Sequence, residues 1–162
     1  MSKAMEAPGA RLRALWLRLS PLPGGPRLFS WLLGRMVPYS GSIGAQVRRF
    51  DPGHVVVELP DRRRVRNHLR SVHAIALANV GELSTGLAVL GAMDETVRGI
   101  LTGLDVTYSK KARGRLRVEV HTEVPVVTDS TDFPVEARVQ DSGGDTVAIV
   151  RAHWRLGPVP AR

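Results

Sequence analysis

Hydrophobic residues recur along this chain in two different rhythms. Over residues 11–19, RLRALWLRL, Leu12, Leu15, Trp16 and Leu19 stand at i, i+3, i+4 and i+7, which predicts a helix with one apolar face. The run SPLPGGP ends it, with three prolines and two glycines in seven residues. A second short apolar piece, RLFSWLLGRM, runs to Pro38. From residue 43 the rhythm changes to alternation: IGAQVRRF and HVVVELP flank a DPG turn and predict a hairpin. After an apolar stretch over residues 67–93, four more alternating runs follow: GILTGLDVTYS, GRLRVEVHTEV, FPVEARVQ and TVAIVRAHWRL. Within the second of these, Leu116, Val118, Val120 and Thr122 take one face and Arg117, Glu119 and His121 the other, so the sheet is apolar on one side and wet on its opposite side.

Such a sheet needs an apolar layer laid on it, and the stretch from residue 73 to about 91 is the one long helix available. The expected architecture is therefore α+β: a curved antiparallel sheet of about six strands wrapped around one central helix. A helical extension, residues 1–36, precedes the main domain, residues 37–157. A chain of 162 residues suits one such domain. No window reads as long and apolar enough to span a bilayer, and arginines at 11, 13 and 18 interrupt any secretion signal, so the cytoplasm is the expected location. Cysteine is absent, which excludes disulfides and thiolate metal sites.

Charge adds a partner class. The formal charge of +8 favours an anionic partner, with arginines densest in DRRRVRNHLR and SKKARGRLR. Aromatic residues are only 5% of the chain and no nucleic-acid-binding motif is recognisable, so nucleic acid is not expected. The two N-terminal helices have two possible uses: docking on the domain body, or peripheral contact with a membrane surface as a basic amphipathic anchor.

The central helix carries the chemistry. Ala74, Ala76, Ala78, Gly81, Gly86, Ala88, Gly91 and Ala92 make it rich in small residues. Glycine in a helix interior costs about 1 kcal/mol against alanine, so close packing must offset it. In the middle stands Glu82, with Asn79 one turn before it and Thr85 one turn after. A buried carboxylate pairs, shifts its pKa or serves chemistry. Glu82 therefore either meets an arginine or a helix end, or acts as an acid/base or nucleophilic group in a poorly hydrated cleft.

Asn67, His73 six positions on, and Glu82 nine positions after that, in a strand-helix-strands order, resemble the hotdog-fold thioesterases of the PaaI-like group. The runs VPYSGSIG, NHLRSVHAIALANVGE and YSKKARGRL resemble a little-characterised subfamily with a domain of unknown function, over about residues 28–156. The resemblance implies an acyl-CoA thioesterase that hydrolyses its substrate in a cleft between two subunits of a homodimer or a dimer of dimers. Glu82 would be general base or nucleophile, the N–H of Ala74 or its neighbour would polarise the thioester carbonyl, Asn67 would position the thioester or the water, and His73 would fix the loop. Lys110, Lys111 and Arg113 would receive the phosphates of coenzyme A, with Arg64, Arg66 and Arg70 as second choices. No cofactor is implied beyond the coenzyme A moiety of the substrate. The family's His-Gly-Gly is His73-Ala74-Ile75 here, which narrows the space above the polarising N–H and keeps open a non-catalytic module that binds acyl-CoA or a related lipid. His54, His68, His121 and His153 fit no metal-ligand spacing, and Ser71, Ser84 and Ser130 lack the context of a nucleophile elbow.

Overall fold

In the computed structural model, which describes residues 8–159, the two rhythms become four α-helices, one turn of 3-10 helix (Arg63–Val65) and six strands. Helices α1 (Pro8–Leu19), α2 (Gly25–Met36) and the single turn α3 (Pro38–Gly41) come first. Strands β1 (Gln46–Asp51) and β2 (His54–Leu59) form the expected hairpin, turning at Pro52 and Gly53, whose φ of 70° suits glycine. Helix α4 (Ala74–Ala92) follows, then β3 (Val97–Tyr108), β4 (Leu116–His121), β5 (Thr131–Gln140) and β6 (Thr146–Pro158).

The strands form one antiparallel sheet in the order β1-β2-β4-β5-β6-β3, and α4 lies against its concave side, the hotdog arrangement. Alternation sorts the faces as the pattern required: Leu116, Val118 and Val120 are buried, while Arg117 and His121 are exposed. Among the described residues, strand β3 is bonded to β6 alone, so its outer edge is unpaired there, and Ile100, Leu104 and Tyr108 on this strand are exposed to solvent.

Helix α4 packs closely because its glycines permit it. A Cβ at Gly81 would collide with Val150 of β6, and one at Gly91 would collide with the ring of Phe50 on β1. With 19 residues, α4 is in fact long and apolar enough to cross a bilayer, contrary to the reading of the sequence, and it is instead buried by the sheet. Both N-terminal helices dock on the domain body. Leu12 and Trp16 of α1 are buried, and Leu15 and Leu19 pack beside them. Trp16 meets Phe29 of α2 edge-on at 5.1 Å between ring centres, and Phe29 lies 6.0 Å from Phe50, so the extension and the sheet share one core. Trp31, by contrast, is exposed.

Candidate active site

Glu82 sits in the interior of α4, nowhere near a helix end. Its carboxylate makes no hydrogen bond or ion pair among the described residues, so none of the described arginines is the partner that would have explained it. Burial alone pushes its pKa above the usual carboxylate range. The neighbours are apolar: a Cβ at Gly86 would lie 3.4 Å from the Trp154 ring and 3.8 Å from Glu82 Oε1, so ring and carboxylate share the space that Gly86 leaves open. Among the described residues, the buried indole N–H of Trp154 has no acceptor and the buried Oδ1 of Asn79, one turn before Glu82, has no donor, while Asn79 Nδ2 donates to the Tyr39 carbonyl at 3.4 Å. Unpaired buried polar atoms cost about 1–3 kcal/mol each.

The start of α4 is built from the preceding loop. Asn67 Oδ1 accepts from the N–H groups of Leu69 (2.9 Å) and Ser71 (3.2 Å) and from the Ser71 hydroxyl (3.1 Å), which closes the loop on itself. Its Nδ2 has no partner among the described residues and is the donor left for a ligand. Arg70 closes the turn at φ 56°, a left-handed conformation that costs a side-chain-bearing residue about 1–3 kcal/mol. His73 caps the helix, its Nδ1 accepting the N–H of Ile75 at 3.1 Å. As the first helical residue, Ala74 has no intrahelical acceptor for its N–H, which points outward at the positive end of the helix dipole. The Tyr108 hydroxyl, at the end of β3, donates to the Ala74 carbonyl at 3.1 Å.

These residues divide between two places. Asn67, Ala74, Lys110 and Lys111 line one cavity of about 270 Å³, together with Tyr108. Glu82 is absent from it: the separation of eight positions between Ala74 and Glu82 puts the two roughly 12 Å apart along the axis. His73 faces a separate cavity with Tyr39, Arg64, Arg66 and Asn79. Arg70 and Arg113 are exposed and line none of these cavities. Lys110 is already engaged, 2.8 Å from Asp141 and 2.6 Å from Asp145, and these carboxylates raise its pKa further. Tyr108 and Trp154 were missed in the sequence. The signal for each was its place: Tyr108 ends the strand before the SKKAR loop, and Trp154 falls on the inward alternation with Ala152 and Leu156.

One group capable of holding a metal ion does form. His54 and His121 pair across β2 and β4 with rings stacked at 3.8 Å, and Glu119 reaches both, so their ligand atoms lie within 4.8 Å of one another. Strand register, not sequence spacing, brings them together, which is why the spacing of the histidines showed nothing.

The pattern of a family described as a domain of unknown function, DUF4442, matches residues 25–156. The chain belongs to the DUF4442 family. No curated protein matches it. Among solved structures, this DUF4442 protein is similar to the structural-genomics protein APC5556, with 27% identity, a TM-score of 0.79 and coverage of 93% of this chain and 99% of that one. It is also similar to PA5026 of Pseudomonas aeruginosa, described as a protein of unknown function and probable thioesterase, with 21% identity, a TM-score of 0.72 and coverage of 85% and 97%. A thioesterase family protein from Silicibacter pomeroyi shares 18% identity at a TM-score of 0.67, covering 80% of this chain and 96% of that one. The fold is thus the hotdog fold of thioesterase-family proteins.

Proposed function

We propose that this DUF4442 protein is an acyl-CoA thioesterase, active as a homodimer or a dimer of dimers, with Glu82 as general base or nucleophile. The observation that carries the reading is the lone, half-buried Glu82 in the middle of α4: a carboxylate with no cation partner among the described residues and with a pKa raised by burial is suited to taking a proton. In the general-base route, Glu82 takes a proton from water as its oxygen attacks the thioester carbonyl. The carbonyl oxygen becomes an oxyanion facing the free N–H of Ala74, and collapse of the tetrahedral species expels the coenzyme A thiolate, leaving a carboxylic acid. Asn67 Nδ2 is the available donor to orient the thioester or the water. Because Glu82 lies roughly 12 Å along α4 from Ala74, and His73, nine positions before Glu82, is turned roughly 180° from it about the helix axis, the Ala74 and Asn67 that serve a given Glu82 come from a second copy. The unpaired edge of β3, with Ile100 and Leu104 exposed, supplies a surface for that copy.

The second reading, a non-catalytic module that binds acyl-CoA or a related lipid, is favoured by one feature. Ile75 stands exposed at the helix start, where the family's glycine would leave room. Thiol release from a panel of acyl-CoAs separates the two. Turnover lost in Glu82→Gln supports the esterase, and saturable binding with the thioester left intact supports the module. The phosphates of coenzyme A have two basic regions to choose between, the 110–113 loop, where Lys110 is already paired, and the arginines around Gly44.

A further inference from the structure

Between α2, α3 and β1 lies a cavity of about 320 Å³ whose charged lining is entirely arginine, Arg27, Arg35, Arg62 and Arg64, with Trp31 and Leu83 among its uncharged walls. No aspartate or glutamate lines it, and none occurs in the sequence from Pro8 to Phe50. The four arginines make no ion pair among the described residues. Their neighbours show that this is a local property: Arg48 pairs with Glu58 at 2.9 Å and Arg66 with Asp61 at 2.6 Å.

The guanidinium groups also converge. Gly44, at φ 66°, has no side chain, and Arg64 Nη2 occupies the place where a Cβ would be, with Arg62 Nη1 within 3.5 Å of the same point. Two cations held over one glycine repel each other unless an anion lies between them. Guanidinium forks match phosphate oxygens in a bidentate manner, so a phosphate is the anion that fits best. Trp31 adds a flat partner. It is 58% exposed, and the Arg35 guanidinium lies 5.4 Å from its ring centre. An exposed indole beside arginines is a platform on which a nucleobase can stack.

We propose that this arginine cavity binds a phosphorylated nucleotide, its phosphates between Arg62 and Arg64 and its base on Trp31. Resting on the thioesterase reading, it is the subsite for the nucleotide end of the acyl-CoA substrate, in preference to the 110–113 loop. Leu83, next to Glu82 in sequence, joins the cavity wall to the helix that carries the carboxylate.

The test is titration of the full chain with adenosine 3′,5′-bisphosphate, followed by calorimetry and by tryptophan fluorescence. Trp31 is the exposed tryptophan, while Trp16 and Trp154 are buried. Saturable quenching is expected, weakened by salt, with affinity at least tenfold lower in the Arg62→Gln/Arg64→Gln variant and within twofold of wild type in Arg151→Gln. Inorganic phosphate should bind at least tenfold more weakly than the nucleotide. For hydrolysis, the double variant should raise KM for an acyl-CoA at least tenfold relative to KM for the matching N-acetylcysteamine thioester, which lacks the nucleotide. If the wild type cleaves neither ester while arginine-dependent nucleotide binding persists, the cavity stands and the esterase reading falls. Nucleotide binding that is absent, or that is indifferent to Arg62 and Arg64, overturns the proposal. So does arginine-dependent sedimentation with phosphatidylglycerol vesicles in the absence of nucleotide binding, which would make the cavity a lipid headgroup site.

Discussion

Two glutamates of this protein, Glu82 and Glu119, are both partly buried, and their surroundings drive them in opposite directions. Glu119 lies on the outer face of the sheet, 2.8 Å from Arg117 and 2.7 Å from His54, with His121 at 3.4 Å. Those partners, Arg117 first, pull its pKa down to about 2. Glu82 lies on the inner side, against Trp154 and the small residues of α4, and burial pushes it up. The wet face neutralises its carboxylate with cations at little net cost, whereas the dry cleft keeps a carboxylate that stability alone would remove.

The contrast breaks first at Glu82. Glu82→Gln should lower thioester hydrolysis on the order of 10³-fold or more, as expected for removal of a general base or nucleophile. Thiol release measures it, and unchanged turnover would take Glu82 out of the mechanism. For the wild type, the acid limb of kcat/KM should lie above the pKa of an ordinary glutamate, because Glu82 must be ionised to act and its pKa is raised. At the helix start, Asn67→Asp retains the oxygen that holds the loop and removes the donor. Turnover should fall on the order of 10²-fold with the fold intact, if orientation is its role; a loss below about threefold would reduce Asn67 to a loop residue.

Stability effects come next. Gly81→Ala should cost about 1–3 kcal/mol in chemical denaturation, since the added methyl meets Val150 in a packed core. Gly86→Ala, which places its methyl at ordinary contact distance from Trp154, should be neutral or gain up to about 1 kcal/mol. Equal losses at both would mean that the two walls of α4 are not different. The smallest effects compare the two carboxylates directly. The folded pKa of Glu119 is depressed, so its contribution is present above the unfolded value of 4.5 and is lost as pH falls towards about 2. Glu119→Gln should therefore cost stability at pH 7, by no more than about 1 kcal/mol for so accessible a pair. For Glu82 the folded pKa is raised, so the wild type loses stability as pH rises through and above 4.5. Glu82→Gln should melt higher than wild type at pH 7, and a lower melting temperature would show that the carboxylate has a cation partner.

Local pattern made much of this legible. The alternation in GRLRVEVHTEV and the apolar helix after it sufficed for a sheet wrapped on one helix, because burial on one face imposes period two on strands and a long apolar run on the helix they enclose. The glycines of that helix announced close packing, and Gly81 against Val150 and Gly91 against Phe50 are its sites. Glu82 stood out for the same reason, as a charge in an apolar run.

Neighbourhood was decided only by tertiary structure. Nothing in the spacing of Lys110 reveals that Asp141 and Asp145 from the turn between β5 and β6 claim it, or that Arg62 and Arg64 fold back over Gly44 and meet no acid among the described residues. His54, Glu119 and His121 converge through strand register across 65 residues of chain. Sequence periodicity records which side of its own element a residue faces, and so it determined the fold and singled out the carboxylate. Electrostatics depends on what lies within a few ångströms through space, so whether each charge is neutralised, stranded or poised was settled only when the elements packed.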